Sequence, residues 1–282
     1  MFWYPLMPGN LLNGEFTLGG DGTLALLQIT DTHLMAQPGG RLLNVDADAS
    51  LDAVLAVARE RQSVPDAILV TGDISGDASA NAYGRLADKL ADFEAPSFWL
   101  PGNHDGCGEA NIDPVFFSRF LLSPHWLIVM LNSQVDNEVG GHLAAIELDA
   151  LARAVDIANG TARHLLVALH HPLWPLGCAW LDPQRVANAE AFATEIHRCR
   201  KARVVLSGHV HQASDTSIDG VRYLTTPSTC VQFAPGAEDF KVDTCGPGYR
   251  WLSLHPNGHI ETGVERVTDQ VFPVDLDSGG YL

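Results

Sequence analysis

The chain has 282 residues, 46% of them hydrophobic, and carries 34 acidic against 17 basic side chains for a formal charge of −17. That field argues against nucleic acid and anionic membranes as partners, whereas a small anion stays compatible if the site supplies its own cations. No run of about 18 apolar residues suggests a membrane-spanning helix, and five cysteines, an odd number without CxxC spacing, fit a reducing cytoplasm as small buried residues.

In chain order, the opening MFWYPLMPGNLLNGE (1–15) lacks a basic region and a small-residue cleavage site, so export is not expected. Asp21-Gly22 predicts the turn of a first hairpin. LALLQIT (24–30) reads as a buried strand and ends at Asp31-Thr32-His33. Apolar positions at Leu51, Val54, Leu55 and Ala58 predict a helix over 48–61. AILVT (67–71) is a second strand, ending at Gly72-Asp73, and a helix follows over 79–93, with Asp77 read as a turn residue or helix N-cap. SFWLP (97–101) leads into Gly102-Asn103-His104-Asp105. HWLIVMLNS (125–133) is a strand that ends without a metal-ligand residue, and 146–158 is helical. LLVAL (165–169) ends at His170-His171, and a helix over 186–200 has Asn188 as a candidate cap. RVVLS (203–207) ends at Gly208-His209-Val210-His211.

Beyond residue 211, Asp219-Gly220 and Asn257-Gly258 each sit between alternating runs and predict hairpins, so the last third is expected to be antiparallel and to complete a second sheet packed on the first. The whole of 1–282 reads as one domain, and the acidic tail 266–282 as either a disordered end or a strap over the core.

Strands alternating with helices indicate α/β architecture, and open α/β sheets collect their ligands beyond the carboxyl ends of the strands. The five strand endings therefore converge on one rim. Asp31 and His33, two apart on an extended strand end, are expected to face the same way and hold one ion. Asp73 can give one oxygen to each of two ions, His209 and His211 can be shared between them, and Asn103 and His170 supply a further amide oxygen and imidazole. Carboxylate, imidazole and amide without thiolate suit Mn, Fe, Co or Zn. A water held between two such ions is a nucleophile at neutral pH, which points to phosphate ester hydrolysis. His104, beside a ligand, is the candidate general acid, and Asp105 the candidate that orients His104 or a ligand histidine. His171 is either an outer neighbour of the site or turned away from it. The remaining histidines (His125, His142, His164, His197, His255 and His259) are read as ordinary core or surface residues.

The ordered set D-x-H, G-D, G-N-H-D, H and G-H-x-H resembles the calcineurin-like metallophosphoesterase superfamily. WLPGNHD (99–105), GCAWLD (177–182), SGHVHQ (207–212), TPSTCVQF (226–233) and PGYRWLSLH (247–255) resemble its class III cyclic nucleotide phosphodiesterase branch. The resemblance implies a four-layer α/β/β/α sandwich with a dinuclear metal site at the strand ends. It implies a first metal, Fe or Mn, on Asp31, His33, Asp73 and His211, and a second on Asp73, Asn103, His170 and His209. His33, Asp73, Asn103, His104, His170, His209 and His211 would meet the substrate, 3′,5′-cyclic AMP, which would leave as 5′-AMP. GCAWLD and TPSTCVQF are candidate cap elements, with Trp180 placed either against a nucleobase or in a loop core. Activity on 2′,3′-cyclic nucleotides or glycerophosphodiesters is the alternative, and a homo-oligomer is compatible with the sequence.

Overall fold

The computed structural model describes residues 12, 14–20, 22–62, 64–106 and 112–280. The chain runs β1 (Glu15–Thr17), β2 (Leu24–Ile29), β3 (Arg41–Leu42), β4 (Val45–Asp46), α1 (Ala47–Arg61), β5 (Ala67–Thr71), α2 (Ala80–Ala91) and β6 (Ser97–Leu100). There follow β7 (Phe120–Leu122), β8 (Trp126–Met130), α3 (Ala145–Thr161), β9 (His164–Ala168), α4 (Ala189–Ile196) and β10 (Ala202–Ser207). The last part is all strand: β11 (Ser214–Ile218), β12 (Val221–Thr225), β13 (Gln232–Phe233), β14 (Val242–Asp243), β15 (Gly248–Leu254) and β16 (Ile260–Arg266).

Two large sheets result, ordered β16-β15-β2-β5-β6 and β1-β7-β8-β9-β10-β12-β11. Strand alternation shows how they stack. On β8, Trp126, Ile128 and Met130 enter the core that also contains both sheets' facing residues and α1 and α2. Their alternates Leu127 and Val129 enter a second core with Leu151 and Val155 of α3 and Phe192 of α4. Opposite faces of one strand thus bury into different layers, giving an α/β/β/α sandwich with α1 and α2 outside the five-stranded sheet and α3 and α4 outside the seven-stranded one.

The pairing of several elements differs from expectation or decides between alternatives. Residues 15–17 pair in parallel with β7 rather than with β2, and the turn expected at Asp21-Gly22 falls on Asp21, which lies outside the described residues. The two late hairpins do form, but β11–β12 joins the seven-stranded sheet through a parallel pairing with β10, whereas β15–β16 joins the other sheet beside β2. Each hairpin extends a different sheet, because a local turn signal fixes only the partner within the hairpin. Of the two readings of Asp77 the turn residue holds: it accepts from the Ala36 and Ser79 amides in the turn before α2, whose N-cap position is taken by Ser79 without a side-chain capping bond.

Past β16, Phe272 and Val274 pack against the inter-sheet core and Asp275 N donates to Leu43 O at 2.9 Å, so residues 267–280 form a strap. Cys178, Cys199 and Cys230 are buried free thiols, and burial pushes the Cys230 thiol up to about 12. Cys245 is exposed, contrary to the expectation for all five, and Cys107 lies outside the described residues. Among the described residues no helix is long and apolar enough to cross a membrane.

Candidate metal centre

The parallel order β2-β5-β6 places the loops after these strands side by side, and β9 and β10 do the same in the facing sheet. A polar crosslink ties the two rims together under the site: buried Gln28 donates to Thr71 Oγ1 at 2.9 Å and to Ser207 O at 3.1 Å. A single amide inside an otherwise apolar run was the signal for it, and a reading by hydrophobic periodicity passes over it.

The candidate ligand residues do not continue their strands. Asp31 (φ 54°), His33 (45°), Asp73 (50°), His209 (65°) and His211 (50°) all adopt the left-handed conformation. The expectation that Asp31 and His33 sit on an extended strand end is therefore corrected. Asp and His tolerate this region better than bulky β-branched residues, and its clustering marks a site whose surroundings hold strained backbone in place. Loop-to-loop bonds do the holding: Asp31 N donates to Gly72 O at 3.0 Å and His33 N to Asp73 O at 2.9 Å.

The glycines of the motifs have a steric reason. A Cβ on Gly102 would lie 2.2 Å from Asp73 Oδ1, one on Gly208 would lie 2.1 Å from Thr30 Oγ1 and 2.6 Å from Asp31 Oδ2, and one on Gly72 would lie 2.4 Å from His170 Nδ1. Only a residue without a side chain lets the ligand groups come this close.

Around one point stand Asp31, His33 and His211, with His33 Nε2 and His211 Nε2 3.2 Å apart and Asp31 Oδ1 3.3 Å from His211 Nε2. Around a second stand His170, Asn103 and His209: Asn103 Oδ1 is 3.2 Å from His170 Nε2 and 2.9 Å from His209 Nδ1. Between them lies Asp73 Oδ2, 3.8 Å from His33 Nε2 and 3.4 Å from His170 Nε2. Two ligands bound at right angles to one ion at about 2.1 Å stand about 3 Å apart, close to the spacings found here. The sequence reading assigned one Asp73 oxygen to each ion. In the structure Oδ2 is the oxygen that stands near both His33 and His170, while Oδ1 accepts the His104 amide at 2.9 Å.

The donor chemistry fits cations. The His170 and His211 Nδ1 atoms donate to the carbonyls of Thr71 and Val231, each at 2.8 Å, which aims both Nε2 atoms at carboxylate oxygens. Lone pairs converging in a dry pocket require positive charge among them, as a proton or a metal ion. Asp31 and Asp73 are fully buried, which raises a carboxyl, yet the neighbouring His211 and His170 hold both below the ordinary range. Burial lowers His170, but Asp73 and Asp31 overcome it and bring the imidazole to about 9. Burial dominates at His33, brought down to about 3, and lowers His209 well below its ordinary value. The centre thus collects two carboxylates, two imidazoles kept neutral at His33 and His209, and a His170 that holds a proton where a cation would otherwise stand, a donor set that fits a pair of divalent ions once that proton leaves.

His104 stands at the edge, its ring 5.0 Å from that of His33, and lines a cleft of about 550 Å³ with Asn103, Asn137, Glu138, Trp180 and Phe240. Asp105 departs from expectation: its carboxylate contacts neither His104 nor a ligand histidine. It accepts from the amides of Gly102 (2.8 Å), Ile74 (3.2 Å) and Ser75 (2.9 Å) and from Tyr83 Oη (2.7 Å), clamping the loop after β5 to the loop after β6. Burial, with Asp73 nearby, raises its carboxyl to about 6. Three backbone donors at fixed positions hold that carboxylate where it cannot reach a histidine.

GCAWLD lines the cleft through Trp180, whose ring packs edge-on against Phe233 and Phe240 at 5.0 and 5.1 Å. TPSTCVQF is not a cap. It is buried behind the site, where Ser228 Oγ donates to Asp31 O at 2.7 Å and Phe233 stacks on His211 at 4.3 Å. Asn188 bonds both ways to the Leu143 backbone rather than capping α4. His171 lies against the centre, its ring 4.8 Å from that of His170 and 4.7 Å from that of His209, and both its nitrogens are engaged, Nδ1 2.8 Å from Ser133 Oγ and Nε2 3.1 Å from Val139 O in the cleft wall.

Gln184 was not singled out by any motif. Its Oε1 lies 3.1 Å from His209 Nε2 and its Nε2 donates to Trp180 O at 3.1 Å, so it orients a candidate ligand and ties it to the cleft.

Residues 24–213 match the family model of the calcineurin-like phosphoesterases. The chain is 42% identical over 265 residues to the 3′,5′-cyclic adenosine monophosphate phosphodiesterase CpdA of Pseudomonas aeruginosa, covering 93% of this chain and 96% of that one. It is 41% identical over 271 residues to the protein of the same name from Escherichia coli K12, covering 94% and 97%. Among solved structures, a dimetal phosphatase from Danio rerio superposes with a TM-score of 0.60 at 16% identity, over 88% of this chain and 100% of that one, a likeness of fold. On the family match and on relatives similar along nearly their whole length, the chain belongs to the calcineurin-like phosphoesterases.

Proposed function

We propose that this protein hydrolyses 3′,5′-cyclic AMP to 5′-AMP and so lowers the level of that second messenger. Asp31, His33, Asp73 and His211 would hold one metal ion, and Asp73, Asn103, His170 and His209 the other, with Fe or Mn suited to these ligands. The observation that carries the chemistry is Asp73 Oδ2, buried and lying between two sets of ligand atoms. The substrate rests on two relatives named for cyclic AMP hydrolysis that match this chain along almost its full length.

Two bound cations supply Lewis-acid polarisation of the phosphoryl oxygens and a nucleophilic water at neutral pH. The chain's own residues do the rest. The His104 amide pins Asp73 Oδ1, so the carboxylate cannot rotate and Oδ2 stays between the two ligand sets. The outer hydrogen bonds of His170, His209 and His211 fix which nitrogen each ring presents. Across the reaction one water adds to the P–O3′ bond, its oxygen to phosphorus and a proton to O3′. His104, between centre and cleft, delivers that proton. The cleft has the volume of a small-molecule site, and Trp180 and Phe240 give one wall an aromatic surface against which a nucleobase can lie.

The test compares kcat/KM of metal-loaded protein on 3′,5′-cyclic AMP, 2′,3′-cyclic AMP and an aryl phosphodiester. The proposal expects 3′,5′-cyclic AMP to lead. Cleavage of the aryl ester with no release of 5′-AMP removes the substrate assignment.

A further inference from the structure

The sequence reading set His255 and His259 aside, yet the β15–β16 hairpin gives them a shared position. Asn257-Gly258 closes the turn, with Gly258 at φ 87° and its amide donating to His255 O at 2.9 Å. His255 N donates to His259 O at 2.9 Å, so the two residues face each other across the ladder just beyond the Leu254↔Ile260 pair. Side chains alternate along a strand, so Glu261, two residues past His259, points to the same face. The register of β15 against β2 pairs Leu254 with Leu24, which brings Thr23 beside His255 from the other side. Four side chains from three strands thus form a row: Thr23, His255, His259 and Glu261.

Their geometry is that of a metal-binding group. Glu261 Oε1 is 3.0 Å from His255 Nε2 and 3.8 Å from His259 Nε2, and the three ligand atoms all lie within 4.8 Å of one another. His255 Nδ1 is 3.1 Å from Thr23 Oγ1, the outer hydrogen bond that orients a ligating imidazole. The backbone beneath is rigid, since Trp126 Nε1 donates to His255 O at 2.9 Å and ties the turn to β8. His259 and Glu261 are more than half exposed, so the side chains can close to ligand distance and leave further coordination positions open to water.

We propose that His255, His259 and Glu261 form a separate transition-metal site, suited to Zn²⁺ by its two imidazoles and one carboxylate. It lies at the opposite rim from the candidate metal centre. Thr23 precedes β2 and Asp31 follows it, and a strand of that length spans about 20 Å.

The test is a Zn²⁺ titration of the full chain by equilibrium dialysis, comparing wild type with His259→Ala and Glu261→Gln. The expected result is one fewer zinc bound per chain in both variants, with phosphodiester turnover unchanged. Zinc anomalous diffraction from the wild type is expected to place an ion within about 2.1 Å of both Nε2 atoms. Equal zinc stoichiometry in wild type and both variants, or no anomalous peak at the hairpin, overturns the site and leaves an ordinary histidine–glutamate ion pair.

Discussion

Gly102→Ala is a one-methyl perturbation whose effect can be worked from the structure. The new Cβ would stand 2.2 Å from Asp73 Oδ1, 2.5 Å from Asp73 N and 2.7 Å from His170 Cε1, all under the 3.0 Å that real Cβ contacts respect. The backbone at Gly102 is outside the left-handed region, so the clash alone is tested. Two of these atoms belong to fixed groups, Asp73 N on the backbone and a His170 ring held by Thr71 O. Relieving the first contact moves Oδ1 by at least about 0.8 Å, and the two contacts to fixed groups push the Gly102 loop away from the centre as well; a displacement near 1 Å in a catalytic site costs on the order of 100-fold in rate. Overpacking adds about 1–3 kcal/mol of destabilisation. The assay is release of 5′-AMP at saturating metal, with bound metal counted by elemental analysis and folding followed by thermal melting. Gly140→Ala is the control, because a Cβ there meets Gln184 at an ordinary 3.6 Å. Wild-type turnover and full metal content in Gly102→Ala would refute the reasoning that this glycine exists to admit the Asp73 carboxylate.

Asp73→Asn is expected to lower the content of both metals together, since it weakens the one group that faces both ligand sets; retention of both ions at wild-type affinity contradicts bridging through Oδ2. His104→Ala should lower kcat by about 100- to 10,000-fold with metal content unchanged, and loss of metal instead would make His104 a ligand alongside His33 and Asp73. Gln184→Leu removes the acceptor from His209 Nε2 and is expected to weaken one of the two metals by about 10- to 100-fold while Gln184→Glu keeps it; equal binding in all three proteins shows that the contact is incidental.

The candidate centre was legible because metal ligation restricts residue types severely and because parallel strands deliver their ends to one rim. Asp31, Asp73, Asn103, His170 and His209 could be picked out as strand endings without knowing any distance. The four-layer order came with the family resemblance, and the pattern alone announced only alternating strands and helices. Sequence also located both late hairpins, since Asp219-Gly220 and Asn257-Gly258 act through local backbone preference.

Tertiary structure decided whatever depends on approach between remote backbones. Pairing of β12 with β10 and of β15 with β2 is set by sheet packing, which no turn signal encodes. The left-handed backbone at Asp31 and His33 is held through bonds to the Gly72 and Asp73 carbonyls on another loop, and Asp73 Oδ1 is engaged by the His104 amide of a third. Asp105 looked like a partner for a histidine and is instead a clamp on backbone amides, because three donors from two loops reach it first. Gln184, a glutamine between a proline and an arginine, belongs to no motif, and it acquires a role only when folding brings it to His209. What sequence by itself determined was the inventory of candidate ligands and their order. What folding decided was which atom of each one faces the centre, because orientation depends on hydrogen bonds whose partners are far apart in the chain.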